Sequence, residues 1–312
     1  MSLQSHWPIH ATQSGRILRD GEDVKRPVDA RRCTVQLSTG RLYLDVVASP
    51  STALLGHDLP AMPPIDAPSV LRMVSSLAPG YACLAMTRSF AVAAEFAARL
   101  GRSAAGADGR VVEINALDGE LGPGDEKLVV HENETLGRTG RWLASTAWER
   151  SPDLIVVGDA LALGAPFGAV LARSGLAANH DADAATLARV AAAIATVEGE
   201  GLLQHGRELA DYLMARLLAM RSSCPQIENV EGAGLSIRIA FTPPLAATEI
   251  RRRMCERGVL VGVDEGGRLA IDPPLPLRIA EADVITGALR GAIVGAPLLS
   301  ASVCCAACEN GD

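Results

Sequence analysis

The chain is short of lysine, of aromatic side chains and of any long uncharged stretch. Two lysines, Lys25 and Lys127, stand among 312 residues, so chemistry that needs a side-chain amine has few places to start. Ten aromatic residues (three Trp, three Tyr, four Phe) are too few for a base-stacking platform. Basic residues number 29 against 36 acidic, a formal charge of −7, which removes the electrostatic footprint of a nucleic-acid binder. The longest run without charge, residues 291–308, is broken by Pro297 and diluted with Gly and Ser. No membrane span is expected there. Seven cysteines show no regular pairing and the chain opens without a basic-then-apolar leader, so the expected compartment is a reducing cytoplasm.

What is present is material for a core. Apolar residues make up 48%, mostly Ala, Leu and Val, and the length suggests about two domains. The first thirty residues mix charge with Pro and Gly and show no period, as in an extended arm. From Val35 to Val47, Leu42, Leu44 and Val46 alternate against Tyr43, Asp45 and Val47. Thr39-Gly40 supplies a turn, and the pattern reads as a hairpin. Gly56, Pro60, Pro63 and Pro64 mark a loop. Residues 90–100 form an alanine-rich helix with a stop at Gly101. Short apolar runs at 111–114, 127–130 and 154–157 alternate with helical stretches, which predicts a mainly parallel α/β sheet. Helices are expected over 182–197 and 202–220. Strands at 227–230, 235–241, 259–263 and 268–271, with helices at 246–257 and 281–294, make a β-β-α-β-β-α unit. Three parts follow: arm and hairpin over 1–60, a large α/β domain over 61–200, and a small α+β domain over 201–312.

Several motifs run collinearly. Gly40-Arg-Leu-Tyr-Leu-Asp45 precedes Leu55-Gly-His-Asp-Leu-Pro60. Leu136-Gly-Arg-Thr-Gly140 is followed by Pro152-Asp-Leu-Ile-Val-Val-Gly158, Ala160-Leu161 and Pro166-Phe-Gly-Ala169. Then come Glu200-Gly-Leu-Leu203, Arg207-Glu-Leu209, Gly232-Ala-Gly-Leu235, Glu256-Arg-Gly-Val-Leu260 and Pro273-Pro-Leu275. Together they resemble the class III pyridoxal-phosphate (PLP) aminotransferases of the acetylornithine and ornithine type. The resemblance implies a truncated fold-type I PLP-transferase-like large domain with a mainly parallel sheet, plus a small α+β C-terminal domain. It also implies dimers with active sites at the subunit boundary, near the region shaped by His57 and Arg138.

The departures fall on the positions that carry chemistry in that family. Where its lysine forms the aldimine, this chain has Asp159, and a carboxylate cannot condense with an aldehyde. Lys127 lies four residues before His131, roughly 13 Å away at ~3.3 Å per residue, and Lys25 is in the arm. The family's aspartate against the pyridine nitrogen corresponds to His131, whose neutral imidazole cannot hold that proton as a carboxylate does. The phosphate turn reads Ala85-Met-Thr-Arg-Ser89, without the glycine that admits close backbone approach, though Thr87 and Arg88 remain as an anion contact. The carboxylate-gripping arginine corresponds to Ala270, with Arg268 displaced by roughly 6–7 Å on the same strand face. Only 31 residues separate Arg99 from His131, room for at most one βαβ unit, and the stretch around Ala178-Asn-His-Asp-Ala182 replaces a family phosphate-binding segment.

The sequence therefore predicts a catalytically silent aminotransferase homologue. It is expected to act as a binding or accessory subunit, as a homodimer or with an intact homologue, with no cofactor and no covalently bound PLP. The alternative is a PLP-independent enzyme using the old cleft, with His131 and Asp159 meeting at the sheet's carboxyl edge and Glu132 or Arg88 assisting. A divergent active aminotransferase is the third reading. No metal site is expected. Cys304, Cys305 and Cys308 form a tail without a second ligand cluster, and Cys33, Cys83, Cys224 and Cys255 read as buried filler.

Overall fold

The structure is a computed structural model that describes residues 27–37, 40–47, 54–106, 109–116, 119, 122, 124–173, 179–243 and 245–295. Lys25, Thr39 and the cysteines at 304, 305 and 308 lie outside these residues, as does most of the expected arm. What is described of the arm is already a strand: β1 (Pro27–Arg31) pairs with β2 (Thr34–Leu37), which pairs with β3 (Leu42–Asp45), all antiparallel. The β2–β3 hairpin follows the alternation, with Val35 opposite Tyr43 and both buried beside Leu260. Between β1 and β2, Arg32 adopts a positive φ of 47°. This strained turn is held because His57 donates its backbone N–H to the Arg32 carbonyl at 2.6 Å. Gly56 makes that approach possible, since a Cβ there would stand 2.0 Å from the same oxygen.

A short helix follows, α1 (Ala67–Ser76), with Asp66 accepting the Ser69 N–H at 2.7 Å as its N-cap. Next come β4 (Ala82–Thr87), α2 (Phe90–Ala105), β5 (Val111–Asn115), β6 (Lys127–His131), β7 (Leu154–Val157), β8 (Gly168–Ala172) and β9 (Asn179–His180). These strands form one six-stranded sheet in the order β5-β6-β7-β8-β4-β9. All run the same way except β8, which is antiparallel to β7 and β4. The mainly parallel sheet is thus present with one reversed strand.

Two expectations need correction. Gly101 does not stop α2. It is buried inside the helix, where a Cβ would meet Val111 at 3.2 Å and Val129 at 3.4 Å, and the helix ends at Gly106, whose φ is 77°. The small residue serves close packing of α2 on β5 and β6 rather than termination.

The second correction concerns residues 259–263. After α3 (Ala184–Gly199) and α4 (Leu202–Ser223), β10 (Ile227–Ala233) and β11 (Ser236–Phe241) form a hairpin and α5 (Ala247–Glu256) follows. The expected single strand then splits into β12 (Val259–Leu260) and β13 (Gly262–Val263), ahead of β14 (Leu269–Ile271) and α6 (Ile279–Val294). β12 pairs parallel with β3, while β13 joins β10, β11 and β14 in a four-stranded sheet ordered β10-β11-β14-β13. Val259 to Val261 are buried on the way, so the run is apolar throughout, yet it serves two sheets. One large core runs from Leu54 and Val70 through Leu161 and Phe167 to Leu213, Ile237 and Ile285, and a separate cluster under α2 holds Ala93, Ala97, Val129 and Val156. Among the described residues no helix is long and apolar enough to cross a membrane.

Candidate functional site

The parallel strands β4, β6 and β7 end on the same edge of the six-stranded sheet. This is where open α/β sheets place their ligands. Thr87 closes β4, His131 closes β6, and Asp159 follows β7 after Gly158. The topology thus brings Thr87, Arg88, His131 and Asp159 to one edge, while Ala270 lies in the β10-β11-β14-β13 sheet.

Asp159 is engaged with its own loop. Its carboxylate accepts the Phe167 backbone N–H at 2.9 Å, and its carbonyl accepts N–H groups from Ala162 at 3.1 Å and Gly164 at 2.8 Å. The side chain therefore ties the Pro-Phe-Gly-Ala turn back onto the end of β7. Burial pushes its pKa above the ordinary carboxylate value, with the Phe167 N–H opposing that rise. Asn133 braces the same loop by accepting the Ala160 N–H at 3.3 Å.

His131 does not meet Asp159. Its ring stands edge-on to Phe90, with centroids 5.4 Å apart. Its Nε2 lies 3.6 Å from Glu113 Oε2, is buried, and has no hydrogen-bond partner. Burial lowers its pKa and the Glu113 charge partly restores it. Phe90 also lies on Gly158, with Cδ2 2.7 Å from where a Cβ would be. No hydrogen bond or ion pair joins His131 to Asp159 among the described residues, so the expected acid–base pair is not assembled. Glu132 is withdrawn too. It is fully buried, accepting the Ser145 N–H at 2.6 Å and the Thr135 hydroxyl, and burial raises its pKa.

At the expected anion contact, the Thr87 hydroxyl is engaged within the chain, while the Arg88 side chain is mostly exposed. The Thr87 hydroxyl donates to the Ser89 carbonyl at 2.8 Å and faces that of Gly168 at 3.3 Å. Arg88 donates its backbone N–H to Asp181 at 2.9 Å, with its Nε 3.9 Å from the same carboxylate. Asp181, Phe90 and Asn133 were not singled out in the sequence. Asp181 gives no local signal because it sits 93 residues from its partner.

The remaining positions are structural in their contacts. Ala270 is buried in β14 opposite Arg238, and Arg238 pairs with Asp272 at 2.9 Å and Asp264 at 3.6 Å. Arg268 is bound to Asp264 at 2.8 Å and to Glu231. Lys127 pairs with Asp153 at 3.0 Å, at the opposite end of β6 from His131. His57 pairs with Asp45 at 3.0 Å. Arg138 is 1% exposed, donates to the Pro273 carbonyl at 3.3 Å, and is pulled down by burial while Asp272 opposes. Cys33, Cys83 and Cys224 are buried and free, whereas Cys255 is half-buried. No group of three His, Cys, Asp or Glu able to hold a metal occurs among the described residues.

Comparison with known proteins gives a consistent result. The family profile "Aminotransferase class-III" matches residues 127–293. An acetylornithine aminotransferase of Methanothermobacter thermautotrophicus is 32% identical over 175 residues, covering 53% of this chain and 44% of that protein. The chain thus spans about half the length of the curated relative. The fold is similar to that of acetylornithine aminotransferase from Elizabethkingia anophelis, with a TM-score of 0.73 at 17% identity, covering 88% of this chain and 95% of that one. It is also similar to ornithine aminotransferase from Toxoplasma gondii, TM-score 0.70 at 16% identity, covering 90% and 93%, a structure described with partial occupancy of PLP at its active site.

These findings overturn the expectation of a chain without a cofactor, because the family is PLP-dependent and a structural neighbour carries the group. As arranged, however, the side chains at the sheet edge do not fit an anchored pyridine ring. Asp159 offers no amine, Lys127 is bound at the other end of its strand, and Phe90 lies on Gly158. With its profile match over more than half the chain and its neighbours' architecture, this protein belongs to the class III aminotransferase family.

Proposed function

We propose that the chain keeps the class III frame without exchanging amino groups by itself, and serves as an accessory or binding subunit. It would do so as a homodimer or beside an intact homologue, in the cytoplasm. The observation that carries this reading is Asp159. The position at which the resemblance expects a lysine holds a carboxylate that accepts the Phe167 N–H at 2.9 Å, a structural bond in place of a reactive amine. Thr87, Arg88, His131 and Ala270 then act as frame, each with its own internal partner or packing. The division into 1–60, 61–200 and 201–312 belongs to the same reading.

The test is assembly. The chain is co-expressed with an intact class III aminotransferase, and the mixture is separated by size exclusion with light scattering. The expected result is a species containing both chains, or a homodimer of this one. A chain that stays monomeric in both settings contradicts the proposal.

A further inference from the structure

Phe90 is the first residue of α2, directly behind the Ser89 cap, whose hydroxyl accepts the Val92 N–H at 3.3 Å. With Ala93, Ala94 and Ala97 it makes the i, i+3, i+4, i+7 stripe that faces the sheet. All four pack in the cluster that holds Val129 and Val156. The backbone beneath Phe90 has no room to withdraw. Gly168 on β8 lies so close that a Cβ there would stand 2.6 Å from Ala93 Cβ and 2.5 Å from the Ser89 carbonyl oxygen. The one large side chain of the four is therefore carried on a fixed helix start, and only its own torsions can move it.

The ring reaches the ends of two strands at once. It meets the His131 ring edge-on, with centroids 5.4 Å apart and planes at 87°, a favourable aromatic arrangement. Its Cδ2 lies 2.7 Å from where a Gly158 Cβ would be, one residue before Asp159. Asn133 fills the space beside it, with Oδ1 2.8 Å from the same point while it accepts the Ala160 N–H. The family resemblance places a pyridine nitrogen at 131, an aldehyde carbon at 159 and a phosphate at the turn over 85–89. Phe90 follows that turn and touches both His131 and the neighbour of Asp159. One six-membered ring of this chain thus spans the points between which the family's six-membered ring is expected, and that is where residues and cofactor disagree.

We infer that Phe90 sets how tightly this chain holds a phosphorylated pyridine, because its ring occupies the pyridine's space and has to leave His131 and Gly158 before such a ligand enters. The apparent affinity is then reduced by the fraction of time the ring spends rotated away. The inference rests on the family's placement of its cofactor at this edge. It is separate from the accessory-subunit reading, which the assembly experiment decides.

The probe is pyridoxine 5′-phosphate, which keeps the ring and the phosphate but has no aldehyde, so it forms no imine with Lys127 or any other amine. It is titrated into the purified full chain by calorimetry. Phe90→Ala binds about tenfold or more tightly than wild type, since the obstructed state is removed. Phe90→Leu, which keeps an apolar side chain on the helix, gains less, and Phe90→Tyr, which keeps the ring, binds like wild type. Phe96→Ala takes an equal ring from the same cluster, about 9 Å further along α2, and leaves binding unchanged. The inference is overturned if folded Phe90→Ala and Phe90→Leu bind no more tightly than wild type, or if Phe96→Ala gains as much as Phe90→Ala. It is overturned as well if neither Phe90→Ala nor Phe90→Leu folds, which would make Phe90 a packing residue and nothing more.

Discussion

With a carboxylate at 159 and Lys127 bound to Asp153, the sheet edge has no free side-chain amine among the described residues. The neighbouring titratable groups are arranged for packing. His131 illustrates the cost, because its Nε2 is buried 3.6 Å from Glu113 without a hydrogen bond, and an unpaired buried nitrogen resists charging. Its folded pKa lies below the ordinary value of 6.5. The unfolded chain therefore binds that proton more readily, and stability present above pH 6.5 is lost as pH falls through it. The expected outcome is a urea midpoint that drops for wild type between pH 7 and pH 5 relative to His131→Asn. Parallel pH profiles for the two proteins would refute this assignment of the histidine.

Among the elements, the β10–β11 hairpin and the Gly-Arg-Thr-Gly loop are joined most tightly at Gly234. Leu235 donates its N–H to the Arg138 carbonyl at 2.9 Å. Gly234, at φ +60°, passes so close that a Cβ would stand 2.0 Å from that oxygen. Gly234→Ala is expected to lower stability by about 1–3 kcal/mol, the usual range for forced overpacking, read as a fall in Tm. An unchanged Tm would show that the two segments are not coupled there. The sequence made strands β5, β6 and β7 and helices α3 to α6 legible, because each is an apolar run or periodic stretch with Gly or Pro at its borders. It did not reveal α1, β4 or β8. β8 in particular, Gly168–Ala172, is a five-residue run adjoining a turn. Nor does periodicity say which sheet a strand joins, so 259–263 read as one strand. At the site, Asp159 was legible as a departure from the motif. The pairing of Arg88 with Asp181 and the contact of Phe90 with His131 were not, since both depend on which strands become neighbours.

Over the whole molecule, three sheets share one core, and β12 carries the C-terminal half back onto the opening hairpin through its pairing with β3. The frame is therefore closed on itself even though the chain matches only part of the length of its curated relatives. Conservation of that frame with internal partners at Asp159, Arg88 and Arg238 is the physical content of the accessory-subunit proposal. Fold kinship alone would not decide it. The most direct measurement is amino-group transfer by the purified wild-type chain. It is incubated with added PLP, 15N-glutamate and a second 2-oxo acid, and the amino acids are read by mass spectrometry. The account predicts that 15N stays in glutamate at the rate seen without protein. Catalytic accumulation of 15N in the second amino acid would contradict it.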